Sequence, residues 1–124
     1  MKTERPVYLS LTQFAWPLAA IASITHRITG VALFAATAYL LWLLGLALDS
    51  PAGFERAAAI LDGAAAQAVT LAVLAALAFH LFAGIKHLVM DFHHWDTLEA
   101  GRRSAIAVFV LTALATILAG VWLW

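Results

Sequence analysis

The chain has 124 residues, 65% of them hydrophobic and only 11% charged, with seven basic side chains balancing seven acidic ones. Ordinary soluble domains carry about a quarter charged residues, so this is a membrane composition, and the lack of any basic patch excludes a nucleic-acid partner. There is no cysteine, which excludes disulfides, thiolate metal sites and covalent attachment of a cofactor through sulfur.

Residues 1–17, MKTERPVYLSLTQFAWP, mix Tyr8, Phe14 and Trp16 with polar residues and two prolines. That mixture suits a segment lying in the membrane interface. Pro17 can open the first helix, because its missing N–H falls where no intrahelical partner exists. The first helix is therefore expected over about 18–48 and carries Ser23, His26 and Arg27. Its purely apolar run begins only at Ile28, a poor fit to a cleaved signal peptide, and no Arg/Ser-rich transit segment precedes it.

The stretches 28–48, 64–85 and 104–124 each run 21 or 22 residues without an acidic or basic side chain. At about 1.5 Å per residue each spans roughly 32 Å, enough for a hydrocarbon core of about 30 Å. Three transmembrane helices follow, over about 18–48, 64–90 and 97–124, in one all-α membrane domain covering 1–124. Between the first two, DSPAGFERAAAILDG offers Ser50 before Pro51 as a cap. Phe54, Ala58 and Leu61 then recur at i, i+4 and i+7, which predicts a short surface helix over about 51–61. Asp96, three residues before Glu99, resembles a capping box that starts the third span near Thr97. Trp122 and Trp124 read as an interfacial anchor.

Lys2, Arg5 and Arg27 flank the start of the first span, and Lys86, Arg102 and Arg103 flank the second loop, whereas Arg56 is the only basic residue in the first loop. The positive-inside rule then sets the N-terminus and second loop in the cytoplasm, with the first loop and C-terminus on the opposite side.

Within HLFAGIKHLVMD, His80 lies six residues inside Lys86, roughly 9 Å below the interface. A histidine in hydrocarbon needs its ring nitrogens satisfied, either by a neighbouring helix or by a ligand. Gly84, four residues on, leaves the same helical face without a side chain, open to a flat macrocycle or to plain helix contact. His87 returns to nearly the same azimuth about 10 Å higher, where it is either a propionate contact or a solvated interfacial group. On the first span, Ser23 and Arg27 share a face at i, i+4. Together they make a donor pair for a quinone oxygen or a haem propionate; an arginine snorkelling to headgroups is the alternative, and the clustering of Ser23, His26 and Arg27 stands against it. Asp91, Asp96, His93 and His94 form a titratable group near the same interface, able to pass protons to a reduced quinone or simply solvated. Gln67, Thr70, Thr112 and Thr116 need only interhelical hydrogen bonds. Electron-transferring haem commonly takes two strong axial ligands. This chain offers one deeply buried histidine, so if haem is present the second ligand comes from a partner membrane subunit.

RPVYLSLTQFAWPLAAIASITHRITGVAL near the N-terminus, HLFAGIKHLVMDF in the second span and EAGRRS before the third carry a family resemblance over nearly the whole chain. The chain resembles the larger, cytochrome b type membrane-anchor subunit of succinate dehydrogenase, respiratory complex II. The resemblance implies that His80 is an axial ligand to the iron of a b haem, with the other ligand from the smaller anchor subunit. It implies that Ser23 and Arg27 contribute to a ubiquinone site, that His26 and Arg27 lie near the haem propionates, and that Asp91 serves proton delivery. It also implies an iron–sulfur subunit and a flavoprotein subunit docked on the cytoplasmic or matrix face, with succinate oxidised on the flavin and not by this chain. Lys86 stands where the family often has Arg, and the loop at His93, His94 and Trp95 departs from the pattern. The rivals are a fumarate reductase-type menaquinol anchor and a haem-free structural membrane subunit. A multi-pass protein of a bacterial inner membrane is expected, ahead of a mitochondrial one, since no presequence is visible.

Overall fold

The computed structural model describes residues 15–94 and 97–124. The interfacial reading of 1–17 falls almost wholly outside the described residues, and so does Asp96. The described chain is all helix: α1 (Leu18–Asp49), α2 (Pro51–Leu61), α3 (Ala64–Asp91) and α4 (Leu98–Leu123). Three of these, α1, α3 and α4, are long and apolar enough to cross a membrane, with mean hydropathy of 2.2, 2.2 and 2.5. Their lengths of 32, 28 and 26 residues correspond to about 48, 42 and 39 Å.

Local chemistry sets the helix ends. Pro17 stands as the cap of α1, not in its first turn, with φ −61° and ψ 144°. Its carbonyl accepts the N–H groups of Ala20 at 2.9 Å and Ile21 at 3.1 Å. Ser50 caps α2, its Oγ accepting the Gly53 N–H at 3.0 Å, and Pro51 fills the first helical position where no N–H is needed. Thr97 caps α4, accepting the Ala100 N–H at 3.2 Å, so the start of that helix is fixed by a hydroxyl one residue beyond the aspartate that the sequence suggested. At the end of α3, His93 takes a left-handed φ of 59°. The His94 N–H then reaches the Val89 carbonyl at 3.3 Å and the His93 N–H the Met90 carbonyl at 2.9 Å. This is a Schellman closure with histidine where glycine is usual.

The surface helix α2 packs the other way from its apolar stripe. Gly53 and Ala57 are buried, while Phe54 is 63% and Leu61 40% exposed. Gly53 is required: a Cβ there would stand 2.3 Å from the Leu46 carbonyl oxygen of α1. The backbones touch, and the larger side chains of α2 are left exposed.

The core joins α1, α3 and α4 through Ala22, Phe79, Ala83, Ala105 and Val108. Three of the five are alanine, as expected where helices associate by close packing and not by expulsion of water. Phe79 and Phe109 meet edge-tilted, with ring centroids 5.2 Å apart. Lys86 continues this buried face of α3: it is 5% exposed, and its ammonium donates to the Met90 thioether at 3.2 Å. The outward faces are apolar, exemplified by Phe34 and Trp122, each more than four-fifths exposed.

Candidate functional site

The candidate site lies where α1 and α3 cross, on a repeated spacing. His26 precedes Gly30 by four residues on α1, and His80 precedes Gly84 by four on α3. Each histidine lies against the glycine of the other helix. A Cβ on Gly30 would be 3.1 Å from His80 Cε1, and one on Gly84 would be 3.6 Å from His26 Nε2. This reciprocal fit requires antiparallel helices in register and places the two imidazoles side by side. Their ring centroids are 4.1 Å apart with planes 26° from parallel. His87, two turns above His80, closes the row at 5.3 Å from His26.

The His80 ring is oriented from behind. Its Nδ1 is 3.1 Å from the His26 carbonyl oxygen and 3.3 Å from Thr29 Oγ1, and Thr29 Oγ1 itself donates to that same carbonyl at 2.9 Å. A carbonyl can only accept, so Nδ1 carries the hydrogen and Nε2 keeps its lone pair. That tautomer is the one a metal takes through Nε2, with the other nitrogen anchored on a backbone oxygen. Beside it, His26 Nε2 is buried and has no hydrogen-bond partner among the described residues. A buried polar atom left alone costs about 1 to 3 kcal/mol, so this one calls for a partner beyond the described residues.

A groove of about 400 Å³ opens over these rings, lined by His26, His80, Leu81, Gly84, Ile85, His87 and Leu88. Of the residues singled out from the sequence, His80, His26 and His87 are brought together here. Ser23, Arg27 and Asp91 do not line the groove. Ser23 is half-buried one turn before His26, Arg27 is exposed, and Asp91 is the exposed last residue of α3. Gly84, read from the sequence as a bare face, takes the His26 ring against it.

The donor set fits an iron porphyrin and not a caged ion. Among the described residues no three His, Asp or Glu side chains converge as metal ligands. An imidazole with a free Nε2, beside a groove lined by Leu81, Ile85 and Leu88, suits a planar group whose equatorial ligands are its own. Thr29 and Gly30 were missed from the sequence, although the repeated His-x-x-x-Gly spacing was there to be read.

Helices, groove and histidine row define a multi-pass membrane protein whose candidate site is a cross-helix imidazole cluster within the spans. Over residues 1–119 the sequence matches the family described as succinate dehydrogenase/fumarate reductase transmembrane subunit, and the chain belongs to that family. It is 44% identical, over the full length of both chains, to the succinate dehydrogenase cytochrome b556 subunit of Coxiella burnetii. It is 32% identical to the cytochrome b556 subunit of Paracoccus denitrificans, over 93% of this chain and 88% of that one. The mitochondrial succinate dehydrogenase cytochrome b560 subunit of Bos taurus is 33% identical over 92% of this chain and 69% of its own length. The resemblance drawn from the three sequence segments therefore holds.

Proposed function

We propose that this chain anchors a succinate dehydrogenase in a bacterial inner membrane, N-terminus inside, holds one side of a b haem shared with a second, smaller anchor subunit, and forms part of a ubiquinone-reducing site. The observation that carries the haem assignment is the His80 Nδ1–H set on the His26 carbonyl, which leaves Nε2 as a ligand. His80 would hold the iron, and His26 Nε2, buried with no partner among the described residues, and His87 at the rim of the groove would hydrogen-bond the propionates. When bound, the haem supplies a one-electron redox centre between the peripheral subunits and quinone.

Quinone lies on the α1 side of the same membrane level. The Ser23 hydroxyl donates to one quinone oxygen, and the Arg27 guanidinium holds negative charge developing on it. Reduction to quinol takes two electrons, from the iron–sulfur subunit, and two protons, for which Asp91 at the aqueous end of α3 is the nearest carboxylate on that helix. Succinate is oxidised on the flavoprotein subunit and never meets this chain.

The test is His80→Leu in the assembled complex. The b-type signal in the reduced-minus-oxidised spectrum is expected to be lost or grossly altered while the subunits still co-purify. An unchanged spectrum would remove His80 as ligand, and extraction of the co-purifying quinone decides between ubiquinone and menaquinone.

A further inference from the structure

We infer that Thr29 is a positioning residue for the His80 imidazole, setting its ring plane and the electron density on Nε2; this rests on His80 being the ligand proposed above. Helical threonines ordinarily return their hydroxyl to the carbonyl four residues back. Thr25, Thr37, Thr112 and Thr116 all do so, at 2.7 to 2.9 Å. Thr29 turns instead to the carbonyl three residues back, that of His26. This is the oxygen to which His80 Nδ1 also points. The hydroxyl thereby stands 3.3 Å from Nδ1 with a lone pair toward it. The Nδ1 hydrogen is shared between two acceptors, a carbonyl on the main chain of α1 and a hydroxyl one turn along.

Two consequences follow for the ligand nitrogen. Two acceptors on one N–H define the ring plane, where a single acceptor would leave the imidazole free to rock about one hydrogen bond. Drawing on the Nδ1 hydrogen also raises the basicity of Nε2, which favours the ferric over the ferrous state of a bound iron. Gly30, the next residue, leaves the space in which the ring is held, since a Cβ there would stand 3.1 Å from Cε1. The pair Thr29 and Gly30 thus acts on one edge of the His80 ring, the first by hydrogen bonding and the second by leaving room.

The experiment compares four variants of the intact complex in detergent: Thr29→Val, which keeps volume and removes the hydroxyl, Thr29→Ser, Thr25→Val and His80→Leu. Redox titration of the b-type absorbance and the low-spin EPR g values are read for each. Thr29→Val is expected to raise the midpoint potential and move the largest g value, or to lose haem that Thr29→Ser retains. Thr29→Ser and Thr25→Val are expected to match the parent. An unshifted Thr29→Val, a Thr29→Ser shifted as far as the valine variant, or an equal shift in Thr25→Val overturns the inference. Failure of the underlying assignment is seen separately, as an unaltered b-type signal in His80→Leu.

Discussion

Gly30 of α1 lies directly against the His80 ring of α3: a methyl group on the first would lie 3.1 Å from Cε1 of the second. Gly84 and His26 repeat the relationship more loosely, at 3.6 Å from Nε2. The difference of half an ångström separates a contact that forces the ring to move from an ordinary van der Waals one.

Gly30→Ala should therefore disturb the centre while Gly84→Ala barely does. The alanine at 30 has to displace the imidazole by a few tenths of an ångström or part the helices, so a broadened low-spin EPR signal is expected with haem still present. Gly30→Val should lower haem content per complex at least twofold. Haem quantified by pyridine haemochrome across the three variants checks the ranking, and equal haem and spectra in all three would contradict it.

At the far end of the spans, Gly53→Ala should be destabilising without touching the cofactor. Its Cβ would meet the Leu46 carbonyl at 2.3 Å, a main-chain contact that yields only if α2 lifts off α1. Overpacking of this kind costs about 1 to 3 kcal/mol. Ser50→Ala, which removes the α2 cap, should cost about 1 kcal/mol. Thermal inactivation of the purified complex should occur at lower temperature in both, more so for the glycine variant, with an unchanged b-type spectrum.

Lys86 is buried, and among the described residues its ammonium has the Met90 thioether and no carboxylate as partner. Desolvating a charge without a counter-charge is unfavourable, and replacement by an apolar side chain of like volume is commonly neutral or stabilising. Lys86→Met should leave the thermal midpoint of the complex unchanged or higher. A clear fall would mean that a neighbouring subunit supplies an anion to this side chain.

Arg27→Leu should depress succinate-to-quinone electron transfer at least tenfold while succinate oxidation with an artificial acceptor stays near the parent level. Arg27 is exposed and outside the histidine groove, so its removal leaves the helix crossing intact. Parallel loss in both assays would indicate failed assembly instead of a lost quinone contact.

The four helices and the three spans were legible in the sequence because length and hydropathy carry them directly. His80 was legible for the same reason, as a polar group where polar groups are rare. The packing of α2 was not: the stripe of Phe54, Ala58 and Leu61 marked a short surface helix, but not that the small residues Gly53 and Ala57 make its contact with α1. Thr29 and Gly30 were invisible for a related reason. Neither is charged or large, and their effect on His80 exists only once the register of α1 against α3 is known. Ser23 and Arg27 share a face with each other, as read from their spacing, but that face is not the one that opens over the imidazoles.

With the His26 and His80 rings layered at 4.1 Å, nothing planar can slip between α1 and α3. A flat guest reaches His80 only sideways, through the open flank past Leu81 and Ile85, at the level where another polypeptide would close the gap. On the haem and partner assignment proposed above, loading and oligomer formation would be one event in biogenesis, and a chain inserted by itself would stay colourless until its companion arrives.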